Sequence, residues 1–231
     1  MEAHELVDVG FPVRGVELPA DHGYLLFSAL CEAIPRLSHE PGWALLPVDG
    51  KAEGDRGIRL GPGSMVQLRL PARELGEALA LTGRDLTVGP DRVHLGVARI
   101  RPLSPASRLR SAAVTIPGCT GASFRAALRR ELAALPLQQD VSSIEIHVGE
   151  EKLLRARVRT VVAHAVELAG LRPHASLCIQ AHGLGARRHM GAGVFLPVTE
   201  AGASERRSSP RRPADSFADP LAEPLVPSRC P

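Results

Sequence analysis

Along the first hundred residues the pattern of hydrophobic and polar positions switches between two periods. Leu6 to Leu18 alternates in the manner of a strand, and from about His22 to Arg36 the apolar residues Leu25, Leu26, Ala29, Leu30, Ala33 and Ile34 recur at helical spacing. Asp21 is placed to cap that helix and Pro35 to end it. Trp43 to Val48, Ile58 to Leu60 and Met65 to Leu70 then predict strands around the turn-rich runs DGKAEGDRG and GPGS. A short helix over Arg73 to Leu81 and an extended segment over Leu86 to Ile100, broken at Gly-Pro-Asp, complete this half.

The second half repeats the order. Ala112 to Ile116 predicts a strand, Ser123 to Leu135 a helix with Phe124, Ala127, Leu128, Leu132 and Leu135 at its period, and Ile144 to Val148 another strand. A basic, β-branched segment from Leu153 to Leu168 follows, then a helix from about His174 to Ala181 and a last strand from Gly193 to Pro197. Two βαββαβ units in succession define an α+β fold class of tandem ferredoxin-like, RRM-like domains. Their expected extents are 1–102 and 108–198, joined through Arg101-Pro-Leu-Ser-Pro-Ala. From residue 199 the composition turns to Ser, Pro, Arg, Ala and Asp, so 199–231 reads as a disordered, dispensable tail. Its basic cluster, Arg206, Arg207, Arg211 and Arg212, adds weak electrostatic attraction at most.

Composition narrows the function classes. With 44% hydrophobic residues in 231 the chain can build a core, yet no apolar run approaches the roughly 20 residues a membrane span needs. The N-terminus MEAHELVDVGF lacks the basic and apolar regions of a signal peptide. Cys31, Cys119, Cys178 and Cys230 show no close pairing, which speaks against a zinc site or a disulfide framework and suits a reducing cytoplasm. No metal, cofactor or membrane partner is expected. The net charge is +3 and is carried mostly by arginine, whose planar fork matches phosphate. With only 3% aromatic residues, RNA binding by bases stacked on an open sheet is not expected.

The run GLGARRHMGAGVF, residues 183 to 195, concentrates the candidate chemistry. Gly183, Gly185, Gly191 and Gly193 bracket Arg187, Arg188 and His189, offering main chain and positive charge to a polyanion together. No Lys-Ser or Lys-Thr follows the last glycine, and the run leads into a strand, so it is neither a nucleotide P-loop nor a dinucleotide fingerprint. The competing reading is a Gly-rich hairpin with a solvated basic tip. Arg155, Arg157 and Arg159 alternate on a strand-like stretch, as an RNA track or as a solvated sheet face.

Two runs together, LPADHGYLLFSAL (18 to 30) and GLGARRHMGAGVFLP (183 to 197), resemble the RAMP superfamily of CRISPR-associated proteins. Within it the chain is similar to the Cas-six endoribonucleases of the Myxococcus type, over about residues 6 to 198. The resemblance implies metal-independent cleavage of CRISPR repeat RNA in precursor crRNA, by attack of a ribose 2′-OH on the adjacent phosphate. It further implies a catalytic histidine at one end of the first helix, often with a tyrosine. His22 and Tyr24 stand at the helix start and His39 just past its end. Archaeal members open the helix with tyrosine and place histidine in a Leu-His-x-x-Gly run, which favours His39 although Ser38 replaces the leucine. His22 has the helix N-terminus in its favour, where the dipole supports the neutral, base-competent ring. The alternative function is a noncatalytic RNA-binding RAMP subunit of an interference complex with other Cas proteins. Oligomeric state stays open.

Overall fold

The computed structural model describes residues 5–19, 22–39, 42–52, 57–119, 121–156 and 159–198. In the first half, β1 (Leu6–Arg14) runs through the middle of a sheet because its residues Val9, Phe11 and Val13 all have apolar partners to bury against. The elements that follow are β2 (Glu17–Leu18), α1 (His22–Ala33), β3 (Ala44–Leu46), β4 (Lys51–Ala52), β5 (Ile58–Arg59) and β6 (Met65–Pro71). After them come α2 (Leu75–Leu79), β7 (Asp85–Val88), β8 (Asp91–Leu95) and β9 (Arg99–Pro102). The sheet order is β3-β6-β1-β8-β7, with β9 also paired to β1, while β2, β5 and β4 form a small separate sheet.

Helix α1 has no acidic residue in its first turn and no basic residue in its last, so the macrodipole does little for it. Burial holds it instead. Leu26, Ala29 and Leu30 pack on Val9 and Phe11 of β1 and on Val66, Leu68 and Leu70 of β6. Each fully buried leucine contributes about 2 kcal/mol. The helix stops where expected: Ile34 donates its N–H to Leu30, and the chain turns into a 3-10 segment, Pro35–His39.

The second half consists of β10 (Arg108–Val114), α3 (Gly121–Ala134), β11 (Glu145–Ala156), β12 (Arg159–Ala169), α4 (Pro173–His182) and β13 (Leu196–Pro197). Its sheet order is β11-β12-β10-β13, with antiparallel neighbours throughout. Phe124, Leu128 and Leu132 of α3 and Ala175, Cys178 and Ile179 of α4 pack with Leu109, Ile146, Val166 and Leu168 of the sheet. A smaller cluster joins the halves: Ala44 and Leu46 of β3 meet Val194 and Leu196. Residues up to Val198 accordingly form one compact unit.

Three expectations change. The segment from Leu153 to Leu168 is not one strand but the two arms of the β11–β12 hairpin, in which Arg155 pairs with Thr160 and Ala156 with Arg159. Arg155 and Arg159 thus belong to different strands, so the alternation does not run along a single strand. Arg157 and the side chains of Arg155 and Arg159 lie outside the described residues. The last strand begins at Leu196 rather than Gly193, because the preceding residues are occupied in the glycine loop. The proline connector is shorter than its sequence suggested, since Arg101 and Pro102 end β9 and pair with Asp8 and Val7. Asp21 and residues 199–231 also lie outside the described residues.

Candidate nucleic-acid interface

The glycine loop follows α4 and is fastened on both sides. Gly183 terminates the helix at φ 67°, its N–H donated to Ile179. Leu184 then donates to the carbonyl of Gly193, closing the loop on itself at 3.1 Å. Strand β10 supplies the other fastening. Its register with β12 shifts between Ser111 and Val114, a bulge that turns carbonyls away from the ladder. Gly193 N–H reaches Ala113 O at 2.6 Å, and Ala186 N–H reaches Thr115 O at 2.8 Å.

The glycines are required by this closeness. A Cβ on Gly193 (φ 72°) would stand 2.2 Å from the carbonyl oxygen of Leu184, and one on Gly185 (φ 79°) 2.4 Å from that of Thr115. Gly185 N–H is itself taken by the Glu131 carboxylate. Met190 N–H goes to Arg187 O, Gly191 N–H to Arg188 O and Ala192 N–H to Arg187 O. Gly185, Met190, Gly191, Ala192 and Gly193 thus spend their N–H groups within the protein, so these residues do not offer their main-chain donors to a ligand.

Arg187 adopts a left-handed conformation (φ 72°, ψ 35°), and a 3-10 turn, Arg188–Met190, follows it. Arg187 borders a cleft of about 190 Å³ lined by Thr115, Ile116, Pro117, Cys119, Val161 and Val162. Arg188 folds back over Gly183, its Nε 3.0 Å from where a Cβ there would be. Among the described residues its Nε and Nη2 find no hydrogen-bond partner. Burial, and secondarily the charge of Arg69, bring its pKa down to about 10, so it remains a cation at neutral pH. His189 lays its ring on Phe27 of α1, centroids 4.7 Å apart and planes tilted 51°. Burial, with Arg187 nearby, lowers its pKa and favours the neutral ring.

The turn crosses the start of α1. A Cβ on Gly23 would lie 2.3 Å from the Met190 carbonyl oxygen, so the loop's main chain touches the helix backbone one residue from both His22 and Tyr24. His22 begins α1, with Nδ1 2.9 Å from the carbonyl oxygen of Pro19. A carbonyl only accepts, so in the neutral ring Nδ1 carries the proton and Nε2 the lone pair. Tyr24 is half-buried in the same turn. His39 closes the 3-10 segment at the opposite end of the helix, and its side chain lies outside the described residues.

Asp8 and Arg69, which sequence reasoning passed over, also belong to this region. Arg69 is fully buried on β6 and forms a bidentate pair with Asp8 on β1, Nε to Oδ1 at 2.7 Å and Nη2 to Oδ2 at 2.8 Å. Its Nη1 donates to Gln180 O at 2.8 Å and Phe195 O at 3.1 Å. The legible signal was an aspartate in β1 and an arginine in β6, each flanked by apolar residues and opposite in register.

The fold is shared with solved structures of RNA-related proteins at low sequence identity. One is described as an RAMP protein binding different RNA substrates, with TM-score 0.61 and 13% identity over 84% of this chain and 100% of that one. Another, a Cas6-related protein from Pyrococcus furiosus, gives 0.60 and 13% over 84% and 99%, and a CRISPR associated protein Cas6 gives 0.56 and 15% over the same shares. The family model described as Cas6 Crispr matches residues 7–200. The CRISPR-associated endonuclease Cas6 of Myxococcus xanthus (strain DK1622) is 36% identical over 192 residues, 83% of this chain and 81% of that protein. The chain belongs to the Cas6 family of CRISPR-associated endonucleases.

Proposed function

We propose that the chain is a metal-independent endoribonuclease that cuts CRISPR repeat RNA in precursor crRNA, its two halves (1–102 and 108–198) being ferredoxin-like units. The observation that carries this reading is the crossing of the loop over the start of α1, where the Met190 carbonyl meets Gly23, between His22 and Tyr24, and His189 lies on Phe27. Positive charge and proton-transfer groups are then available to one phosphate. His22 accepts the 2′-OH proton at Nε2, the 2′ oxygen attacks phosphorus, and the P–O5′ bond breaks as a general acid protonates the leaving oxygen. A 2′,3′-cyclic phosphate and a 5′-OH result. Arg187 and Arg188 offset the charge on the phosphorane, and Tyr24 positions the ribose.

His22 is preferred here to His39 because it begins α1 one residue from the Gly23–Met190 contact and its Nδ1 is held by the Pro19 carbonyl. Family membership supports the nuclease over the noncatalytic subunit. The test is cleavage of the cognate repeat in EDTA, with the product ends identified. Single-site cutting that leaves a cyclic phosphate is expected, and His22→Ala should slow it by about a hundredfold or more while RNA affinity holds. A strict need for a divalent ion overturns the mechanism, and loss of cutting on His39→Ala with His22→Ala active reassigns the base.

A further inference from the structure

Arg69 and Asp8 are remote in sequence from the loop, yet they hold both of its stems. Gln180, in the last turn of α4, lies three residues before Gly183, and Phe195 lies two after Gly193. Their carbonyl oxygens converge on a single nitrogen, Nη1 of Arg69. The Gln180 carbonyl belongs to the end of a helix, where carbonyls lack intrahelical donors and the dipole is negative, so a guanidinium is suited to both needs. The Asp8 carboxylate occupies the other edge of the fork, fixing its plane and balancing its charge. No other fully buried side chain in the described residues carries a charge.

The placement across the halves adds to this. Asp8 and Arg69 stand on β1 and β6 of the first sheet, whereas both carbonyls belong to the second half. Ala44, paired in register with Arg69, and Leu46 face Val194 and Leu196 at the same seam. The pair thereby sets where the loop lies relative to the helix that carries His22 and Tyr24. Apolar contact at the seam would resist separation, but the two directed hydrogen bonds from Nη1, held in plane by the two to Asp8, also resist sliding and rotation. Arg188 is near enough for the charge of Arg69 to act on it, and with the Asp8 carboxylate taken by Arg69 its buried Nε and Nη2 find no partner among the described residues.

We propose that Arg69, oriented by Asp8, is a positioning residue for the reaction: it holds the glycine loop in the register over α1 at which Arg187 and Arg188 meet the RNA backbone. This rests on the reading of the loop as an RNA contact. Arg69 touches no substrate and acts through the loop alone.

The experiment is a double-mutant cycle on the full chain, read by RNA affinity as a function of salt and by single-turnover cleavage. Arg69→Lys keeps the charge but cannot serve the carboxylate and two carbonyls at once. Expected is a folded protein whose affinity falls about tenfold and whose log–log salt slope becomes shallower by about 1.4, the contribution of two phosphate contacts to a single strand. In the Arg187→Ala/Arg188→Ala background the same substitution should have little further effect, because its route of action is already gone. Full additivity, or an unchanged slope in a folded Arg69→Lys protein, overturns the proposal and leaves the pair a structural tie. If Arg69→Lys does not fold, Asp8→Asn takes its place: the amide keeps one acceptor but loses the charge that fixes the fork, so a smaller loss of affinity and slope in the same direction is expected in the same cycle, and an unchanged slope overturns the proposal. Failure of the loop reading is separately visible: Arg187→Ala/Arg188→Ala would then bind RNA with wild-type slope.

Discussion

At the scale of single residues, the glycine run was legible as a loop, but its purpose was not. Sequence offers glycine's freedom without saying whether a ligand or the protein's own backbone will use it. In Gly183, Gly185 and Gly193 the protein uses it, with carbonyl oxygens occupying the space of a side chain. Gly191 differs: its φ is 84°, yet the nearest atom to an added Cβ is 3.7 Å away. Gly191→Ala should accordingly cost about 1 kcal/mol, the penalty of a left-handed residue. Gly193→Ala adds a main-chain collision and should cost at least twice as much, measured by urea unfolding. The fork of Arg69 escaped notice for a related reason. An isolated charge in an alternating strand reads as solvent-facing, and only the pairing register reveals the aspartate opposite.

At the scale of elements, the helices were the most readable part, because α1, α3 and α4 are built on apolar residues at their own period. The β11–β12 hairpin was the least, since the sequence between the ends of its two arms, from Ala156 to Arg159, has no Gly, Pro, Asn or Asp to announce a reversal. Packing between α1 and the loop likewise leaves no periodic trace. It does leave an exception to helix propensity. Gly23 lies inside α1, where alanine would ordinarily gain about 1 kcal/mol. Because the Met190 carbonyl occupies that position, Gly23→Ala should instead displace the loop. The expected result is helical circular dichroism preserved and repeat-RNA cleavage slowed at least about tenfold. Undiminished cleavage would show that the crossing is not needed for turnover.

At the scale of the whole molecule, the tandem order of elements was visible in the sequence, whereas the seam between the halves was not. Ala44, Leu46, Val194 and Leu196 are few and small, and each reads equally well as part of its own sheet. Ala44, Leu46 and Val194 are buried there with Leu196 packed against them, and such a seam is expected to make the halves unfold as one. Val194, fully buried, is the point at which to test this. A carboxylate there has no partner, so Val194→Asp should cost several kcal/mol and split one thermal transition into two. A single transition, merely lowered in temperature, would place the coupling elsewhere.

The bulge in β10 bears on how any ligand is received. Because Ala113 and Thr115 lend their carbonyls to Gly193 and Ala186, the loop is tied to the sheet at two points. If the loop receives RNA as proposed, those ties are made within the protein itself, and the ordering that the complex requires is expected to fall mainly on the RNA.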